Sequence, residues 1–118
     1  MLPAVSILLE QEPSPPPPRP ETLPDMVRQY CRALETAARE GCTSAVLSVW
    51  NWSDCPWTPL SGAYAVLKTA VDFLYDHPEI RCLEIRCAGE SCYRDYRFQW
   101  NMWFAEHKEE GPKTVTKL

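Results

Sequence analysis

Apolar and polar positions recur with two different periods along the chain, and the changes of period outline six elements. Ala4–Leu9 is a short apolar run bounded by Pro3 and Glu10, which predicts a buried strand. Residues 10–21, EQEPSPPPPRPE, break the pattern, because consecutive prolines lock φ and remove backbone donors. Helical spacing then begins. Thr22 is placed as an N-cap, Pro24 falls in the first turn, and Asp25 takes the capping-box position. Met26, Val27, Tyr30, Cys31, Leu34, Ala37 and Ala38 form one apolar stripe, and Gly41 suits the left-handed position that ends a helix.

Ala45–Trp50 is a second, nearly continuous apolar strand. After a loop, a second helix starts near Thr58, Pro59 or Ser61, with Tyr64, Leu67, Val71 and Leu74 as its stripe. It stops at His77–Pro78, since the residue before proline disfavours helical geometry. Within Ile80–Cys87, Leu83, Ile85 and Cys87 alternate with Glu84 and Arg86. That period predicts a third strand with one exposed face, placed near a sheet edge. Gly89–Ser91 opens a last helix carrying Tyr93, Tyr96, Trp100, Trp103 and Phe104.

The order β-α-β-α-β-α predicts a small three-layer α/β domain: a mainly parallel sheet, right-handed crossovers, and helices on both faces. A single domain over residues 1–107 accounts for the pattern, with 10–21 as a proline-rich connection and 108–118 as a polar tail. Three strands leave two edges to protect, and self-association is one remedy.

Charge narrows the function. A net charge of −4 over 118 residues supplies no basic surface, which argues against nucleic acid as a partner. The apolar start is too short for a membrane span and lacks a basic leader, so an intracellular protein without a membrane segment is expected. The six cysteines show no CxxC spacing; Cys82, Cys87 and Cys92 recur every five residues, which suits neither zinc nor a redox pair. Reduced, mostly buried thiols are expected, and no cofactor or metal. The proline tract has two readings, a stiff connection or a polyproline II ligand, and short spacers of this kind favour the first.

In open parallel sheets, ligands bind beyond the carboxyl ends of the strands. The loop Ser48–Trp57, SVWNWSDCPW, lies there and gathers three tryptophans with hydrogen-bonding neighbours. Trp50, Asn51, Trp52, Ser53, Asp54 and Trp57 are therefore the candidate ligand-binding residues.

At this point a likeness to a known family emerges. YCRALETAAREGCTSAVLSVW, then PLSGAYAVLKTAVDFLYDHPEIRCLEIRC and ESCYRDY, resemble the carboxyl-terminal half of a macro domain. The match runs from Tyr30 to about Tyr96, with Val5–Leu9 in the place of the preceding family strand. The resemblance implies an ADP-ribose-type ligand cradled by a phosphate loop of the form G-[IV]-[YF]-G, in which glycines let backbone N–H groups crowd a diphosphate. Here that loop maps to Ser53–Trp57. It contains no glycine, Pro56 has no amide donor, and Asp54 repels phosphate. The resemblance therefore implies a macro-like domain that has lost normal ADP-ribose binding.

Catalysis has weak candidates. Cys92 sits in the first turn of the last helix, and Cys55 is a second thiol. His77 or His107 is the available base, but no oxyanion glycines or orienting acid accompany them. The last helix says more. Phe98 and Met102 lie off its aromatic stripe, leaving it apolar on more than one side, so Trp100, Trp103 and Phe104 are expected at an interface. The expected function is a non-catalytic interaction module that self-associates or binds a partner protein through aromatic surfaces. The alternative is a nucleotide site in which Trp50, Trp52 or Trp57 stacks a base.

Overall fold

The computed structural model describes residues 4–12, 15–52 and 55–104. Strand β1 (Ala4–Glu10) is followed by helix α1 (Leu23–Arg39), β2 (Ser44–Val49), α2 (Pro59–Asp76), β3 (Cys82–Ala88) and α3 (Glu90–Gln99). The last helix continues into a π-helical turn at Trp100–Phe104. The anticipated β-α-β-α-β-α order and the parallel sheet are both present.

The helix boundaries follow local chemistry. Thr22 Oγ1 accepts from the Asp25 amide at 3.1 Å, and Thr58 Oγ1 accepts from the Ser61 amide at 3.1 Å with Pro59 in the first turn, so each cap satisfies an orphan donor. Gly41 takes φ 76° just past α1, a left-handed geometry that costs other residues steric strain. Met26, Tyr30 and Leu34, one turn apart, bury the inner face of α1. Helix α2 carries Gly62, Ala63 and Ala70 among its buried residues, small enough for it to lie between α1 and α3 and pack on both.

The strands run in the order β1-β3-β2. Strand β3 is thus central, contrary to the edge position expected from its alternation. The register explains why. Val5, Leu83 and Ala45 lie side by side, as do Ile7, Ile85 and Leu47, and as do Leu9, Cys87 and Val49. These rows share one face, and every buried strand residue belongs to them. The opposite face, with Ser6, Leu8, Val46, Ser48, Glu84 and Arg86, has no buried residue, and Glu84 accepts two hydrogen bonds from the Arg86 guanidinium there. The alternation of β3 records an uncovered face, which a central strand has as readily as an edge one.

The expected cover by helices on both faces is corrected by the same rows. With strand order β1-β3-β2, the chain crosses the sheet in opposite directions through α1 and α2. Two right-handed crossovers would therefore place these helices on opposite faces. Instead α1 and α2 pack together on the buried face, so one of the two crossovers is left-handed. All three helices and one sheet face enclose a single core.

Candidate functional site

The loop after β2 is fastened at several points. The Trp50 amide donates to Tyr30 Oη on α1 at 3.2 Å, and Asn51 Nδ2 donates to Asp95 Oδ2 on α3 at 2.9 Å. Trp50 and Trp52 meet at 6.5 Å between ring centroids, and Trp52 and Trp57 pack against the core. Gly62 makes room for Trp57: a Cβ there would stand 3.1 Å from the indole and 3.3 Å from Met26 Cε. The structure thus brings Trp50, Asn51, Trp52 and Trp57 together; Ser53 and Asp54 lie outside the described residues. The gap left among them, also lined by Met26, Gly62 and Tyr96, is about 10 Å³. That is space for one water. Ligand pockets of small molecules run to about 300 Å³ or more.

Burial sets the electrostatics behind this loop. Desolvation drives the phenols of Tyr30 and Tyr96 well above the ordinary tyrosine range, so both are neutral donors and acceptors at any physiological pH. A hydrogen bond with Cys92 and burial keep the Cys87 thiol protonated. Cys92 is buried, and its thiol donates to the Val49 carbonyl at 3.7 Å. All six cysteines carry thiols, with Cys87 and Cys92 buried and the other four half-buried. His77 closes α2: its ring stacks on Phe73 at 3.8 Å, with Nδ1 2.9 Å from the Phe73 carbonyl. His107 lies outside the described residues. Among the described residues, no group of three His, Cys, Asp or Glu side chains is placed to hold a metal ion, and no helix is long and apolar enough to cross a membrane.

The second aromatic region is at the end of α3. Trp100 and Phe104 stack at 5.5 Å and are buried, which removes both from the interface expected of them. Trp103 is 61% exposed, and Phe98 on α3, Met102 on the π turn and Leu60 and Tyr64 on α2 are also exposed. The π turn divides the stripe. Its wider winding carries Phe104 inward after Trp100, four residues on, and turns Trp103 out. Tyr64, expected in the core stripe of α2, lies instead at the surface, 6.0 Å from Trp103 and 5.8 Å from Phe104.

Tyr64 and Trp103 edge a groove of about 400 Å³, also lined by Leu23, Ser61, Ala65 and Gln99. Gln99 is 8% exposed; its Nε2 donates to the Leu60 carbonyl at 2.7 Å, while its Oε1 is buried without a partner. Sequence reasoning missed Leu23, Ser61, Ala65 and Gln99, which come from three separate helices. The off-stripe positions Phe98 and Met102 were the available signal. The groove is lined by the apolar or aromatic Leu23, Tyr64, Ala65 and Trp103 and the polar Ser61 and Gln99, with no charged side chain. It offers no cation to a phosphate. Comparison with family models, with curated proteins and with solved structures finds no match for this chain.

Proposed function

We propose that the protein is a non-catalytic interaction module, macro-like in fold, that binds a partner polypeptide in the groove between α1, α2 and the π turn. One observation carries this reading: the aromatic rings of Trp103 and Tyr64 stay exposed in the lining of a groove of about 400 Å³. Large aromatic side chains beside a concavity are the commonest anchors of protein recognition. An apolar helix face or turn fits such a wall.

The nucleotide alternative has less support. The tryptophan loop offers space for one water, and Asn51, its best polar group, is already engaged by Asp95. Selection from a displayed peptide library tests the proposal. Binders are expected to lose about tenfold or more in affinity against Trp103→Ala, and ADP-ribose is expected to leave the melting temperature unchanged. Binders indifferent to Trp103→Ala, or a melting temperature raised by ADP-ribose, would contradict it.

A further inference from the structure

The two outer strands of the sheet are treated differently. The Ala4 amide donates to the Arg81 carbonyl at 3.0 Å, so even-numbered residues of β1 bond to β3 while Val5, Ile7 and Leu9 turn their N–H and C=O groups outward. Ile7 is nonetheless 0% exposed, backbone included, so this edge is covered. In β2 the Thr43 carbonyl is taken up beside β3 and the Trp50 amide points away to Tyr30, which leaves Ser44, Val46 and Ser48 facing outward. Ser44 is exposed, Val46 is 52% exposed and Ser48 is half-buried. No lysine, proline or bulge blocks this strand, although edges left to solvent are ordinarily guarded in one of those ways.

We propose that the free edge of β2 pairs with β2 of a second copy, antiparallel about a twofold axis at Val46, to make one six-stranded sheet. The pattern of the strand is what selects a second copy. Ser44, Ala45, Val46, Leu47 and Ser48 read outward from Val46 as apolar then serine in both directions. Turning the strand end for end about Val46 sets Val46 against Val46 of the mate and Ser44 against Ser48. All three outward residues then fall in hydrogen-bonded pairs, each exchanging both backbone bonds, with no charge at any of them. The side chains of Ser44, Val46 and Ser48 lie on the sheet face that no helix covers, so the core is undisturbed. This surface is separate from the helical groove and does not rest on what binds there.

Sedimentation velocity of the full chain over a concentration series tests the pairing, with amide hydrogen exchange of β2 as the second readout. Native protein is expected to shift toward twice its 13.6 kDa mass as concentration rises. Exchange at Ser44, Val46 and Ser48 should slow in parallel. Val46→Lys is expected to stay monomeric with an unchanged circular dichroism spectrum and melting temperature, while Val46→Thr still dimerises. If Val46→Lys fails to fold, Ser44→Lys serves at the same edge. Trp103→Ala should leave the dimer intact. Native protein that stays monomeric at the highest concentration would overturn the proposal. So would a dimer that survives Val46→Lys, or slowed exchange that appears only when a different polypeptide is added.

Discussion

Two clusters of tryptophan, one after β2 and one at the end of α3, have similar composition and opposite fates. Trp50, Trp52 and Trp57 sit on a loop tied down by Tyr30 and Asp95, and they close around a gap of about 10 Å³. Trp100 and Trp103 sit on a continuous helix, yet one is 1% exposed and the other, at 61%, is the most exposed large hydrophobic among the described residues. Number of aromatics therefore does not decide function. What decides it is whether backbone geometry turns the rings toward one another or apart. The loop bends back over α2 because Gly62 lets Trp57 approach, while the π turn separates two neighbours that an α-helical period would have kept on one stripe.

The largest effect expected from this comparison is at Trp100. Trp100→Ala removes the biggest wholly buried side chain and its stack on Phe104, so unfolding free energy measured in urea should fall by about 3–5 kcal/mol, enough to unfold a small domain. Tyr30→Phe comes next. It strips the Trp50 amide of its acceptor within a half-buried loop, with an expected cost of about 1–3 kcal/mol and altered tryptophan emission.

The same phenol gives the pH dependence a definite sign. Burial raises Tyr30 and Tyr96 above their unfolded value of 10.0, and the bond to Cys92 with burial raises Cys87 above 9.0. Stability from all three is fully present below the unfolded values and is lost as pH climbs past them. The urea midpoint should stay level up to about pH 9 and fall beyond it. In Tyr30→Phe the alkaline fall should be shallower, since one titrating phenol is gone.

Smaller effects sharpen the contrast. Gly62→Ala sets a gain in helix propensity of about 1 kcal/mol against a Cβ at 3.1 Å from Trp57, so stability should change little while Trp57 shifts and the loop's fluorescence changes. Trp103→Ala should alter stability by about 0.5 kcal/mol or less, because the ring is mostly in water already; its effect belongs to partner binding.

Much of the fold was legible in the chain. Thr22 and Thr58 announced their helices through capping chemistry, Gly41 and Pro78 ended them, and the strand runs stood within a residue or two of their observed limits. What was misread was relational. The period of β3 distinguishes a covered face from an open one, and it carries no information about neighbours, so a central strand was mistaken for an edge. The handedness preference favoured cover on both faces, and a left-handed connection defeated it. At the site, the tryptophan loop was found from its composition, but its closure depended on Gly62, twelve residues beyond Trp50 and on another element. The groove was hidden for a similar reason. Gln99 and Tyr64 face each other only once α2 and α3 are packed, and no local pattern foretells a π turn.

The central claim is that the loop cluster is closed and the helix-end cluster is split between core and surface. The indole N–H resonances of the five tryptophans, recorded with a soluble paramagnetic agent, test it directly. The Trp103 signal should broaden far more than the others, Trp100 should broaden least, and ADP-ribose should move none of the signals from Trp50, Trp52 and Trp57. Protection of Trp103 equal to that of Trp100, or displacement of the loop signals by ADP-ribose, would contradict the account.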